Sequence, residues 1–336
     1  PWFDVHKKGM AGKGTDVIQE FNNSWHYNWS TNGSDVGDAK FVPNQWGGGS
    51  IANAISLGKR MDIAHYMAFN EPDGSEQANM TVDKAIEKYE AMLASGLRLG
   101  SPATKDNNGG QTWRNEFMTK AEAKGYRVDY MVVHYYKKTT AQSFFNWLKA
   151  IHDKWQRPIW IKEFNYGATW TAQPASNEAA GIGLKSYMEM LDDASFVERY
   201  SVFTWQPDTP VYSLMSVRNP VTLSNSGIMY RDHQSPIAYT QEDYEQGAPL
   251  SVNDNSVLSQ FSVFPTVIKN GVFNWTVSEE VDKNNIKLTI YNTAGQLVKK
   301  VSNTSSEVNV SKLSGGLYFV KINSNLGFVT KKIIIE

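Results

Sequence analysis

Tyr66-Met67-Ala68-Phe69-Asn70-Glu71-Pro72 is a short apolar run that ends on two polar residues and a proline. Bounded runs of this kind read as buried parallel strands, with a polar side chain exposed at the C-terminal end. Pro158-Ile159-Trp160-Ile161-Lys162-Glu163-Phe164 repeats the pattern, and 163 − 71 = 92 residues separate the two glutamates. A (β/α)8 barrel of about 250 residues allots roughly 31 to each strand-helix unit, so the interval is close to three units. Glu71 then falls on strand 4 if Glu163 is on strand 7, and both carboxylates meet at the barrel mouth. Such a pair is what glycosidic-bond hydrolysis requires, one to protonate the leaving oxygen and one to attack or to activate water.

Outward from these runs, apolar segments alternate with amphipathic stretches as far as about residue 245. Strands are expected at 8–11, 24–27, 39–42, 65–70, 98–101, 128–134, 159–163 and 200–205. Helices are expected at 81–95, where Val82, Ile86, Tyr89 and Leu93 share a face behind a Thr81 cap, and at 141–155 and 177–191. The fold class is therefore α/β, a (β/α)8 TIM barrel over 1–245. Residues 246–260, with Gly247, Pro249 and Asn253-Asp254-Asn255, read as a linker. Beyond it the period becomes two, as in Ile286-Lys287-Leu288-Thr289-Ile290-Tyr291 and Leu317-Tyr318-Phe319-Val320-Lys321-Ile322. Residues 261–336 are read as a small all-β sandwich without catalytic residues.

With 33 basic against 34 acidic residues the net charge is −1, so nothing argues for nucleic acid, and no apolar run is long enough for a membrane span. The 11 Trp, 16 Tyr and 15 Phe suit sugar rings, whose C–H faces pack on aromatic side chains. There is no cysteine, no histidine pair has metallopeptidase spacing, and neither a metal nor a cofactor is expected. No signal peptide heads the sequence, and a chain starting at Pro1 rather than Met is read as having lost one. A monomer acting on a polysaccharide is the expectation.

Around the carboxylates, His134 with Tyr136 at the end of strand 6 would orient the strand-7 glutamate. Asn70 would bond a sugar hydroxyl beside the reacting carbon, and Trp205 would lie under the ring. Trp25, Tyr27 and Trp29 share one strand face, as either a stacking surface or a hydrophobic plug. Trp46 is read as a rim platform, and Trp113 and Trp170 as loop platforms.

Phe69-Asn70-Glu71-Pro72-Asp73, Leu99-Gly100-Ser101-Pro102-Ala103, Val132-Val133-His134-Tyr135-Tyr136 and Ile159-Trp160-Ile161-Lys162-Glu163-Phe164 together resemble glycoside hydrolase family 128. Ser24-Trp25-His26-Tyr27-Asn28-Trp29 and Gln77-Ala78-Asn79-Met80 extend the likeness, which runs from about Lys8 to Tyr230. The resemblance implies a retaining endo-β-1,3-glucanase with Glu71 as acid/base and Glu163 as nucleophile. The chain departs from the pattern at Asn44-Gln45, where further apolar residues are expected before Trp46. That departure motivates a second substrate reading, another β-linked polysaccharide such as a galactan or marine glycan; a non-catalytic glycan-binding barrel is a third. Phe264-Pro265, Ile290-Tyr291-Asn292-Thr293-Ala294-Gly295-Gln296 and Ser314-Gly315-Gly316-Leu317-Tyr318 resemble the type IX secretion C-terminal sorting domain. This implies secretion machinery as a partner, a Bacteroidetes-like source, and a secreted or cell-surface enzyme.

Overall fold

Eight enclosed strands organise the first part of the chain: β1 (Lys8–Ala11), β2 (Trp25–Tyr27), β3 (Lys40–Phe41), β4 (His65–Tyr66), β5 (Arg98–Leu99), β6 (Met131–Tyr135), β7 (Ile159–Phe164) and β8 (Val197–Phe203). The computed structural model describes residues 5–12, 14–51, 53–203, 207, 211–238, 261–277, 286–292, 297–301, 306–324 and 327–336. Contacts divide the chain into two units, Pro1–Glu245 and Gln246–Glu336, and the segment read as a linker, 246–260, lies outside the described residues.

In the first unit a six-stranded sheet runs β3-β2-β1-β8-β7-β6, parallel throughout, and β4-β5 form a separate parallel pair. Between strands lie α1 (Thr15–Glu20), α2 (Ala54–Gly58), α3 (Val82–Leu93), α4 (Asn108–Ala123), α5 (Ala141–Trp155) and α6 (Asn177–Asp193); the short hairpin β9 (Met215–Val217) and β10 (Thr222–Leu223) precedes α7 (Asn225–Asp232). This is an α/β fold. Three isolated parallel bridges tie the β4-β5 pair to its neighbours, Asn44 to Met67, Gly100 to Tyr130 and Thr104 to Val133, and a fourth, Asn70 to Ala103, continues the pair itself. The strand expected at 65–70 is regular over two residues only. Beyond Tyr66 the backbone pairs singly, Met67 N–H to the Pro43 carbonyl and Asn70 N–H to that of Trp46.

The helices form where apolar spacing and caps agree. On α3 the residues Val82, Ala85, Ile86, Tyr89 and Met92 are buried, and Thr81 Oγ1 accepts from Lys84 N–H at 3.3 Å. Thr140 and Ser176 cap α5 and α6 in the same way, each arrangement contributing about 1 kcal/mol. Helix α4 carries a correction, because Trp113 sits on it rather than in a loop. Asn107 caps this helix by accepting from Gly110 N–H at 2.9 Å. A Cβ on Gly110 would meet the Lys105 carbonyl oxygen at 2.1 Å, so the turn needs the glycine that hides the helix from a propensity reading.

Two apolar layers result. One lies between strands and helices, with Met10, Phe41, Tyr89, Leu148 and Tyr187. The other gathers Trp25, Met67, Tyr130, Val132 and Trp160, and there Trp160 stacks on Tyr130 at 4.4 Å and packs against Trp25 at 5.3 Å. Arg98 on β5 pairs with Glu198 on β8 at 3.0 Å, and Glu198 also accepts from Trp160 Nε1–H at 2.8 Å. Strands distant in the sheet order therefore meet through their side chains.

The second unit holds β11 (Phe261–Phe264), β12 (Val267–Ile268), β13 (Val272–Val277), β14 (Lys287–Asn292), β15 (Leu297–Val301), β16 (Glu307–Asn309), β17 (Gly316–Ser324) and β18 (Gly327–Ile335). Its sheets run β11-β13-β16 and β12-β18-β17-β14-β15. Phe273 and Trp275 from the first and Leu288, Ile290, Val320 and Ile333 from the second share one core. The alternating pattern in the sequence is the inward and outward alternation of these strands. Among the described residues no helix is long and apolar enough to cross a membrane.

Candidate active site

Glu163 is the sixth-strand neighbour's partner in register, His134 on β6 lying opposite it on β7. The register shifts between Val133 and His134, which pair with Ile161 and Glu163 and leave Lys162 as the extra residue on β7. Glu163 is 7% exposed and held by three neutral donors: Tyr27 O–H and Trp29 Nε1–H to Oε1, and Tyr136 O–H to Oε2, each at 2.7 Å. Burial is the largest single influence on this carboxyl and opposes its ionisation. The charges of His134 and Lys162 and the bonds from Tyr136 and Trp29 outweigh it, and the pKa falls to about 2. Burial, followed by the Glu163 charge, pushes the Tyr27 and Tyr136 phenols well above their ordinary range, so both stay protonated donors.

Glu71 lies just past β4 with its backbone in the left-handed region, φ 41°. A non-glycine residue held there costs of order 1 kcal/mol or more and is sustained only by its surroundings. Here Glu71 N–H donates to the Ala103 carbonyl at 2.7 Å, and Gly74 N–H closes back on the Glu71 carbonyl at 2.9 Å. The result aims the side chain at His134, whose Nδ1 stands 2.9 Å from Glu71 Oε1 and 3.6 Å from Glu163 Oε2. The sum of those distances, 6.5 Å, is an upper bound on the separation of the two carboxylate oxygens.

The structure thus brings Asn70, Glu71, His134, Tyr136, Tyr27, Trp29 and Glu163 together. Tyr27 and Trp29 face Glu163 as donors. Trp25 needs correction as a sugar platform: it is 0% exposed, with Nε1–H donating to the Lys7 carbonyl at 3.0 Å, and belongs to the interior plug. The row that starts in the core at Trp25 reaches the carboxylate at Trp29, where a φ of 58° turns the chain. Trp113 is likewise no free platform, since it stacks on Phe117 at 5.7 Å and donates to the Met80 carbonyl. Trp46 and Trp170 are exposed, at 41% and 62%, and Trp170 stands edge-on to Tyr136 at 5.3 Å. Trp205 lies outside the described residues.

Two features are not read from the sequence, and a third, Asn44, has a structural contact that its sequence does not show. Phe203, at the end of β8, packs edge-on to both Trp29 at 5.5 Å and Tyr136 at 6.3 Å. Its neighbour Trp205 drew attention instead. Lys162 is buried beside Glu163 and donates to Asn70 Oδ1; a lysine inside an apolar strand was the available signal. Asn44 is wholly enclosed, its amide donating to the Met67 and Ala68 carbonyls, while Gln45 accepts from Tyr66 O–H at 3.0 Å. The polar step before Trp46 therefore joins β3 to the chain after β4. Among the described residues no group of three His, Cys, Asp or Glu side chains is placed to hold a metal ion.

The model of the glycosyl hydrolase catalytic core matches residues 9–230, and that of the secretion system C-terminal sorting domain matches 263–336. No curated protein matches the chain. Among solved structures, a mutant of a family 128 subgroup I endo-β-1,3-glucanase from Amycolatopsis mediterranei, in complex with laminarihexaose, is 30% identical. That match covers 68% of this chain and 100% of that one, with a TM-score of 0.61. A subgroup II endo-β-1,3-glucanase from Sorangium cellulosum shares the fold at 23% identity and a TM-score of 0.58, over 69% of this chain and 99% of that one. A subgroup VII oligosaccharide-binding protein from Trichoderma gamsii shares the fold at 20% identity and a TM-score of 0.54, over 68% and 93%. The chain belongs to the glycosyl hydrolases, within glycoside hydrolase family 128, and carries a secretion system C-terminal sorting domain after its catalytic core.

Proposed function

We propose that this enzyme is a retaining endo-β-1,3-glucanase working by double displacement. The observation that carries the reading is the single imidazole in reach of both carboxylates, which bounds Glu71 Oε1 and Glu163 Oε2 within 6.5 Å of each other. Retaining enzymes keep their carboxyl groups about 5 to 5.5 Å apart, whereas inverting ones leave roughly 6.5 to 9.5 Å for a water. Glu163, held ionised by its donors, attacks the anomeric carbon as the leaving glucosyl oxygen departs. Glu71 delivers the proton to that oxygen, then takes one from the water that releases the glycosyl-enzyme. His134 holds Glu71 in place between the two steps.

The β-1,3-glucan preference rests on the Amycolatopsis glucanases at 28 to 30% identity. The exposed faces of Trp46 and Trp170 offer stacking surfaces to sugar rings. A β-linked galactan is the alternative substrate reading; the Asn44 amide that motivates it donates to the Met67 and Ala68 carbonyls. We read the catalytic unit as a closed (β/α)8 barrel over 1–245. Three isolated bridges support links at both edges of the β4-β5 pair, Asn44 to Met67 on one side and Gly100 to Tyr130 and Thr104 to Val133 on the other, and the Arg98–Glu198 contact spans the interior. We read 246–260, outside the described residues, as the linker and 261–336 as a β-sandwich that directs type IX export to the cell surface or medium. Digestion of laminarin, curdlan, mixed-linkage glucan and agar tests the substrate reading. Release of oligosaccharides of several lengths from laminarin and curdlan is expected, and cleavage of agar alone would contradict it.

A further inference from the structure

Among the described residues of the first unit three lysines are buried, and two of them have an evident structural use. Lys7 Nζ donates to the carbonyls of Leu191, Asp192 and Ala194 at the end of α6. Lys8 Nζ does the same for Tyr230, Arg231 and His233 after α7. Lys162 differs. Its side chain is 0% exposed, it directly precedes Glu163, and among the described residues its one hydrogen-bond acceptor is Asn70 Oδ1 at 2.5 Å. The ring of Tyr27 lies beneath the ammonium, 5.0 Å from Nζ to the centroid. A buried cation with a single polar partner is costly unless that partner matters.

An ammonium can only donate, so it fixes which end of the Asn70 amide faces it. A flipped amide would set two N–H bonds against the cation. With Oδ1 committed, Nδ2 donates to Gln77 Oε1 at 3.1 Å, and its second N–H has no partner among the described residues. Asn70 immediately precedes Glu71, so this N–H is carried on the same backbone turn as the proton donor.

We propose that Lys162 is a positioning residue that locks the Asn70 amide with Nδ2 as the donor to the sugar hydroxyl beside the reacting carbon. The inference rests on the proposed hydrolysis at Glu71 and Glu163. Hydrogen bonds to that hydroxyl strengthen in the transition state, so the effect of Lys162 falls on kcat rather than on KM. Burial lowers the lysine's pKa to about 8 against the raising influence of Glu163 and Glu71, which leaves it charged at neutral pH.

The test is a double-mutant cycle on laminarin hydrolysis, with Lys162→Met and Asn70→Ala made singly and together. Met keeps the length and burial of the side chain without a donor. In the native background Lys162→Met is expected to lower kcat by about 10- to 100-fold with KM nearly unchanged, the range spanned by one charge-assisted hydrogen bond. In the Asn70→Ala background, assayed at neutral pH where Glu163 stays ionised without the Lys162 charge, the same change is expected to cost less than about 3-fold, because the amide it positions is gone. Lys162→Gln, crossed with Asn70→Ala in the same way, carries the test if the Met variant does not fold. Equal losses in both backgrounds, in an active native enzyme, overturn the positioning role alone. Failure of the native chain to cut any β-glucan overturns the proposed function and this inference together.

Discussion

Glu163→Ala is expected to lower kcat on laminarin by roughly 10^4- to 10^6-fold, the scale on which removal of a covalent nucleophile acts. Among the described residues, the groups that contact the Glu163 carboxylate are phenols, an indole and an imidazole arranged as donors toward it, and none of them is a carboxylate that could take its role. Sodium azide distinguishes loss of the nucleophile from loss of the fold. With the carboxylate gone, azide entering its space displaces the leaving group once and gives the α-glycosyl azide. Activity on a substrate with a good leaving group then returns as azide is added. Near-native hydrolysis by Glu163→Ala, or recovery through a β-glycosyl azide, would contradict the assignment. Glu163→Gln serves as the stability control, because Ala leaves Tyr27, Trp29 and Tyr136 without their acceptor, a cost of about 1 to 3 kcal/mol for each group left unsatisfied.

Glu71→Gln is expected to lower kcat on laminarin by about 10^2- to 10^4-fold, the contribution of a positioned general acid and base. Loss here should depend on the leaving group. A dinitrophenyl glycoside departs without protonation, so its glycosylation step is expected to proceed at close to the native rate. Deglycosylation slows, and a burst of dinitrophenol followed by a slow steady state is the signature. A variant equally impaired on laminarin and on the activated substrate, with no burst, would take the acid/base role away from Glu71.

Much of this site is legible in the sequence because strand ends in an α/β fold converge on one cleft. Two apolar runs, each closed by a glutamate, and an interval of three strand-helix units were enough to bring Glu71 and Glu163 together. His134 and Tyr136 follow from the same logic at the next strand. What could not be read is the depth of each aromatic residue. Trp25, Tyr27 and Trp29 share a strand face, yet the first is plug, the second a buried donor and the third a donor at the rim. Alternation gives the face of a strand and not the distance along the axis at which the interior ends. Helix α4 was hidden by Gly109 and Gly110, whose low propensity is overridden by the Asn107 cap and the close approach of Lys105. Lys162 is not legible as a buried group, because a charged residue inside a strand reads as outward-facing and its partner, Asn70, lies 92 residues away.

The central claim is that one carboxylate attacks while the other shuttles a proton, and the configuration of the newly released reducing end tests it most directly. Proton NMR in the first minutes of laminarin hydrolysis, before mutarotation, reads that configuration. Double displacement through Glu163 predicts the β-anomer as the first product, followed by slow appearance of the α-anomer. Initial release of the α-anomer would mean a single displacement by water and would contradict the account.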